Sequence, residues 1–337
     1  MNIKETLLTL SNACSIGEIT RAGVLTENLL KKYADNVTRN GLTVTGTLKG
    51  ESDYTILLDA HIDEVGMVVT DISADGFLTV SKCGGIDLRH LPAKPVTVHG
   101  KREIPAVFVS TPPHLSKADE VPTDITDCKI DTGLGSAAKD VISVGDFVTW
   151  RTSADVLHGD TVCGKSLDNR AGVACLLELA ARLKGKKLPC NVIFLFSDAE
   201  ELGLRGARTA AFNTEADEAV IIDVSFGSMP DIADTECGKL GGGVMIGISP
   251  VLDNSVTKAI INIAEQGGMS YQREVMGGTT STNADVIALT KGGIKSGLMS
   301  IPLRNMHTDI ETVKISDIVS VCDMLEKYIL SGGAMNA

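Results

Sequence analysis

From residue 167 onward, apolar runs of strand length alternate with longer amphipathic ones. LDNRAGVACLLELAARLKG (167–185) has helical spacing and a glycine at its end. NVIFLF (191–196), AVIIDVS (219–225) and GGGVMIGIS (241–249) have the length and composition of buried strands. DNSVTKAIINIAEQGG (253–268) spells a helix, SGLMSIP (296–302) a strand, and KISDIVSVCDMLEKYIL (314–330) a closing amphipathic helix. Strands apolar on both faces must be covered twice, so this alternation implies a mostly parallel sheet sandwiched by helices. The first sixty-odd residues add a helix, TVTGTLKG (43–50) and the strand YTILLDA (54–60).

Residues 67–161 break that rhythm. GMVVTDISADGFLTVSKCGG, KPVTVHGKREIPAVFVS and VISVGDFVTWRTSAD are short β-prone runs cut by Gly, Pro and Asp turns, with no convincing helix among them. The expected class is therefore α/β. A catalytic domain is built from 1–66 and 162–337, and a small, barrel-like all-β domain is inserted at 67–161. At 337 residues the chain is long enough for both. It has no internal repeat, and its one linker-like stretch is the loop near 112–124.

Composition removes several functions. The formal charge is −12, and the one basic cluster is KGKK at 184–187, so nucleic acid is not an expected partner. No apolar run reaches the roughly 18 residues of a membrane span. The N-terminal MNIKETLLTLSNACSIGE lacks the pattern of a secretory leader, which points to the cytoplasm. Eight cysteines without a CxxC pair argue against a zinc ribbon or redox dithiol, and most sit in apolar runs as small hydrophobes.

The acids and histidines that remain share one placement. His61 and Asp63 follow YTILLDA in DAHIDEVG; Glu200 and Glu201 follow VIFLF; Asp223 ends AVIID; His307 comes shortly after SGLMSIP. Parallel strands would bring these ends to one edge of the sheet, where α/β folds bind ligands. Asp168, at the start of the long helix, joins them. Two histidines and several carboxylates without thiolates form a donor set for divalent metals such as zinc, cobalt or manganese. In HIDE, residues two apart on an extended chain point the same way, so Asp63 can hydrogen-bond and orient a metal-binding His61. In AEEL, extended neighbours face opposite ways, leaving one glutamate for metal and the other for substrate. Each piece alone is most often capping or solvated-loop chemistry. Asp59 is either a further ligand or structural, Asp198 has no role beyond structure, and His90, His99, His114 and His158 have no expected function.

AHIDEVG (60–66), KSLDNRAG (165–172), AEELGLRGA (199–207), IIDVS (221–225) and NMHTDIE (305–311), in this order with a β insertion after the first, resemble the dinuclear-metal aminopeptidases of the glutamyl, deblocking and tetrahedral type. Some relatives of that family have been labelled endoglucanases. The resemblance implies two divalent ions per subunit, zinc or cobalt above manganese. It makes Asp168 the bridge between them, with His61 and Asp223 completing one site and Glu201 and His307 the other. Glu200 becomes the general base and Asp63 the residue that orients His61. It also implies that the β insertion mediates dimerisation and that dimers build a tetrahedral dodecamer with its active sites facing an internal chamber. GGTTSTNAD (277–285) loosely matches a stretch that lies near substrate in the family.

The expected function is metal-dependent removal of N-terminal residues from short peptides with free N-termini. A related metallohydrolase would cleave N-acyl or other small amides on the same scaffold. A glycosidase would need two carboxylates flanking a sugar bond and no metal. A non-catalytic assembly protein could keep the site as a relic.

Overall fold

Thr55–His61 runs through the middle of the large sheet, parallel to Asn191–Ser197 on one side and to Glu218–Phe226 on the other. Lys295–Arg304 continues the parallel order beyond Glu218–Phe226. The computed structural model describes residues 1–112, 114–115 and 122–336, so most of the expected loop near 112–124 lies outside the described residues.

Side chains alternate along these strands. Ile56, Leu58, Ala60, Phe194, Phe196, Val220 and Ile222 enter the core beneath the helices Leu167–Leu183 and Ile315–Ser331. Leu57, Leu195, Ala219 and Ile221 face the opposite core with Ala207, Ala211, Ala284 and Ile287. Burial on both faces is why these segments read as unbroken apolar runs.

The flanks differ from the centre. Thr43–Leu48 pairs antiparallel with Asn191–Ser197 and with Asp35–Asn40. On the far side, Glu311–Lys314 pairs antiparallel with Lys295–Arg304, and Thr161–Gly164 and Asp155–Val156 follow, also antiparallel. Val244–Ile248 runs antiparallel to Lys295–Arg304 and carries Tyr271–Val275 in parallel. The eleven-stranded sheet is thus mixed, parallel at its centre and antiparallel at both edges. Links as short as Gly41–Leu42 cannot make the crossover that a parallel pair requires.

Gly66–Ile72, Leu78–Cys83, Pro95–His99, Glu103–Phe108, Ile130–Asp131 and Phe147–Trp150 close into a barrel. Its interior is a separate apolar cluster around Met67, Val80, Val98, Phe108 and Trp150. One helical turn, Ala138–Val141, interrupts it where no helix was expected, because four residues are too short to show a helical period. Among the described residues no helix is long and apolar enough to cross a membrane.

Candidate metal centre

The central strands deliver their polar residues to one edge. His61 is the last residue of its strand, and Asp223 lies within Glu218–Phe226; both are buried. The strand Asn191–Ser197 ends in a tight turn with Ala199 at φ +53° and Leu204 at φ +60° before the helix Arg205–Phe212. Gly206 lets this turn close. A Cβ there would fall 2.1 Å from the Asp198 carbonyl oxygen, which instead accepts the Gly206 N–H at 2.9 Å. His307 sits in a second bend at φ +61°, after Lys295–Arg304. Asp168 opens Leu167–Leu183 in a non-helical conformation, and the Asp168–Asn169 peptide is cis.

Asp168 stands between the two histidines. One carboxylate oxygen lies 2.9 Å from His61 Nε2 and the other 3.4 Å from His307 Nε2. His307 Nε2 is 3.2 Å from Glu201 Oε1, and His61 Nε2 is 3.8 Å from Asp223 Oδ1. Donor atoms of His61, Asp168 and Glu201 all lie within 4.8 Å of one another. That trio takes Asp168 with one member of each expected metal site.

Asp63 lies beneath this group. Its Oδ1 is 3.4 Å from His61 Nδ1 and accepts the Glu200 N–H at 3.0 Å, while Oδ2 accepts the Glu201 N–H at 3.2 Å. The two glutamates therefore leave from a turn pinned by Asp63, not from the extended segment expected from AEEL.

Sequence reasoning passed over Glu311, although it closes the NMHTDIE stretch. Its two oxygens accept the N–H groups of His307, at 2.8 Å, and Asp168, at 3.0 Å, so one buried carboxylate positions both. Asp59 bonds Asn283 Nδ2 at 2.8 Å, and the same amide reaches Ser197 Oγ at 2.8 Å. Asp59 thus anchors the 277–285 segment to the strand that carries His61. Its neighbours Thr279–Thr282 line a cavity of about 1130 Å³ beside His61, Asp168, Glu200 and His307. His99 bonds Thr149 at 2.8 Å, on the face of the barrel strands opposite to the interior residues Val98 and Trp150. Asp198 contributes through its backbone, and burial with the nearby Asp63 charge pushes its carboxyl up to about 6.

The electrostatics are those of a site built around cations. Burial lifts Asp223 well above the usual carboxylate range. Burial also pushes Glu200 up to about 8, with Glu201, Asp168 and Asp63 adding to the rise and His61 opposing it. Burial pulls His307 down, but its contacts with Asp168 and Glu201 outweigh that and raise it to about 11. Asp168 is held far below its normal value, because the two histidines overcome its burial. Crowding buried carboxylates in this way is costly unless positive charge compensates them. A mixed imidazole–carboxylate set suits zinc, cobalt or manganese, and the residues present fit such ions.

A mixed α/β sheet with an inserted barrel and this donor set at its central strand ends defines a metallohydrolase of the aminopeptidase class. The chain belongs to the M42 glutamyl aminopeptidase family, a family of metallopeptidases, whose sequence profile matches residues 43–324. A solved aminopeptidase of the archaeon Desulfurococcus kamchatkensis is 29% identical and superposes with a TM-score of 0.92, covering 98% of this chain and 95% of that one. The TET1 peptidase of Pyrococcus horikoshii, which can assemble into a tetrahedron or a large octahedral shell, is 30% identical with a TM-score of 0.86 over 98% and 99% of the chains. The lysyl aminopeptidase of Pyrococcus furiosus is 27% identical over 304 residues, 87% of this chain and 86% of that protein.

Proposed function

We propose that this protein removes N-terminal residues from short peptides, using two divalent metal ions and a glutamate general base. His61, Asp168 and Asp223 would hold one ion; Asp168, Glu201 and His307 would hold the other. The observation that carries this reading is Asp168, with one oxygen against each histidine. Bound ions supply Lewis acidity toward a water and toward the scissile carbonyl.

The chain's own groups do the rest. Glu200 takes the proton from the attacking water and returns it to the leaving amine, a role that suits a carboxyl whose proton affinity is raised by burial. Asp63 keeps His61 oriented and fixes the Glu200 backbone, so that the base stays aligned with the imidazole. The cavity beside the site accommodates the peptide's first residues.

The protein loaded with zinc or cobalt should cleave aminoacyl-p-nitroanilides and lose that activity in EDTA. The E200Q variant should keep its metal and lose most turnover. Near-normal activity of metal-loaded E200Q would refute the assignment of the base. Preference for N-acetylated amino acids would support the small-amide alternative. Hydrolysis of a glycoside that survives chelation would support a glycosidase.

Two further parts belong to this proposal. The barrel would mediate dimerisation, with dimers assembling to a dodecamer. Support comes from the exposed Phe77, Val107, Val109 and Val144 on the barrel domain, and from the assembly of the Pyrococcus horikoshii relative. Gel filtration with light scattering tests it. The compartment would be the cytoplasm, in keeping with free thiols at all eight cysteines, five of them buried.

A further inference from the structure

Glu274 is a carboxylate in the cavity wall that the reaction does not use. It lies in Tyr271–Val275, the strand that pairs with Val244–Ile248. Ser225 Oγ donates to one of its oxygens, and Ser300 Oγ donates to the other at 2.7 Å. Burial raises its pKa, the two serines oppose that rise, and no charged group among the described residues contributes. Two hydroxyls therefore stabilise the anion, and each oxygen keeps a lone pair free for another donor. An anion held by fixed dipoles and lacking a cation among the described residues, in the wall of a substrate cavity, is a counter-charge waiting for a ligand.

Its place relative to the metal-binding residues is set by strand register. Ser300 is the register partner of Asp223 on the neighbouring parallel strand. Ser225 is two residues beyond Asp223 on its own strand, on the same face and roughly 6–7 Å further along. Asp223, Ser225, Glu274 and Ser300 all line the one cavity. A side chain leaving a residue bound at the metal-binding edge thus meets Glu274 after about one strand repeat, a span that lysine or arginine covers.

The rest of the cavity reinforces the sign. Besides Glu274 and the groups at the metal-binding edge, its charged lining among the described residues is Asp231, Asp234, Glu236 and Arg273, so with Glu274 four acids face one base. A low-dielectric cleft lined by one sign of charge concentrates ligands of the other.

We propose that the cavity selects peptides whose N-terminal residue carries a cationic side chain, lysine or arginine, with Glu274 as its counter-charge. This rests on the aminopeptidase reading above and adds to it the class of residue removed.

The test is the kcat/KM of the metal-loaded protein on Lys-, Arg-, Leu- and Glu-p-nitroanilide, with E274Q measured beside it. Lys and Arg should exceed Leu and Glu by about tenfold or more, the scale of one hydrogen bond to a charged group. In E274Q the Lys/Leu ratio should fall by a similar factor. If the wild type cleaves Leu or Glu as well as Lys, the specificity is overturned and the aminopeptidase reading stands. If E274Q lowers all four substrates equally, Glu274 serves the shared α-amino group or the fold, and the proposal is likewise overturned. No cleavage of any anilide by metal-loaded protein would overturn the underlying reading too. Should E274Q fail to fold, the wild-type ranking decides alone.

Discussion

Asp63 holds the Glu200 backbone N–H at 3.0 Å with the same oxygen that stands 3.4 Å from His61 Nδ1. One buried carboxylate thereby couples the orientation of the imidazole proposed to bind metal to the position of the proposed base. Asp63 and Glu200 lie 137 residues apart along the chain, a gap bridged by pairing the two parallel strands that end at His61 and Ser197.

Asp63→Asn should separate that coupling from simple stability. The amide can accept only through its oxygen, so its NH2 must face the N–H of Glu200 or Glu201 and leave that donor unpaired. Metal affinity or activity should fall by about 10- to 100-fold. Isothermal titration with zinc or cobalt, together with anilide turnover, measures both.

Glu311→Gln disturbs the site without replacing a proposed ligand. Glu311 accepts the backbone N–H groups of Asp168 and His307, and the amide cannot accept both with equivalent oxygens. Leaving one buried N–H unpaired costs about 1–3 kcal/mol. The expected result is a lower melting temperature and weaker metal retention on dialysis; unchanged metal retention would show that Glu311 is not a positioning residue.

Gly85→Ala tests a contact from the segment that follows the barrel strand Leu78–Cys83. A Cβ there would sit 2.8 Å from His307 Nδ1 and 3.2 Å from Cε1, so the imidazole must move. Displacing a proposed ligand by about an ångström can cost on the order of 10²-fold in rate. The loss should appear in kcat/KM with a near-normal far-UV spectrum.

Asn283→Ala removes the amide that joins Asp59 to Ser197 and leaves a buried carboxylate oxygen without its donor. Stability should drop by about 1–3 kcal/mol in urea. KM should rise as the adjoining Thr279–Thr282 wall of the cavity loses its anchor.

Metal removal should make stability depend on pH with a definite sign. Glu200 is raised from 4.5 to about 8 and His307 from 6.5 to about 11, so the folded metal-free protein binds more protons than the unfolded chain across both intervals. Stability therefore falls as pH rises, from 4.5 to about 8 through Glu200 and from 6.5 toward 11 through His307. Melting temperatures in EDTA should decline between pH 5 and 9. Added zinc or cobalt should flatten that decline by supplying the missing positive charge.

Local patterning in the sequence reached the central strands, the long helices and the barrel-like insertion, because burial on two faces or on one leaves a period that neighbouring residues share. It also placed His61 and the Glu200–Glu201 pair at strand ends, since those positions follow from where each apolar run stops, whereas Asp223, expected at the end of AVIID, lies inside a strand that runs on to Phe226. Packing decided what no period encodes. The antiparallel flanks depend on short connections and edge pairing. The placement of Glu200 and Glu201 depends on a turn at Ala199 and on Asp63. Glu311 reaches Asp168 across 143 residues of chain, and Asn283 reaches Asp59 across 224. An isolated acid or amide in the sequence looks the same whether it meets water or a buried partner. Only the fold, by bringing distant backbone N–H groups and side chains within hydrogen-bonding range, distinguishes the two.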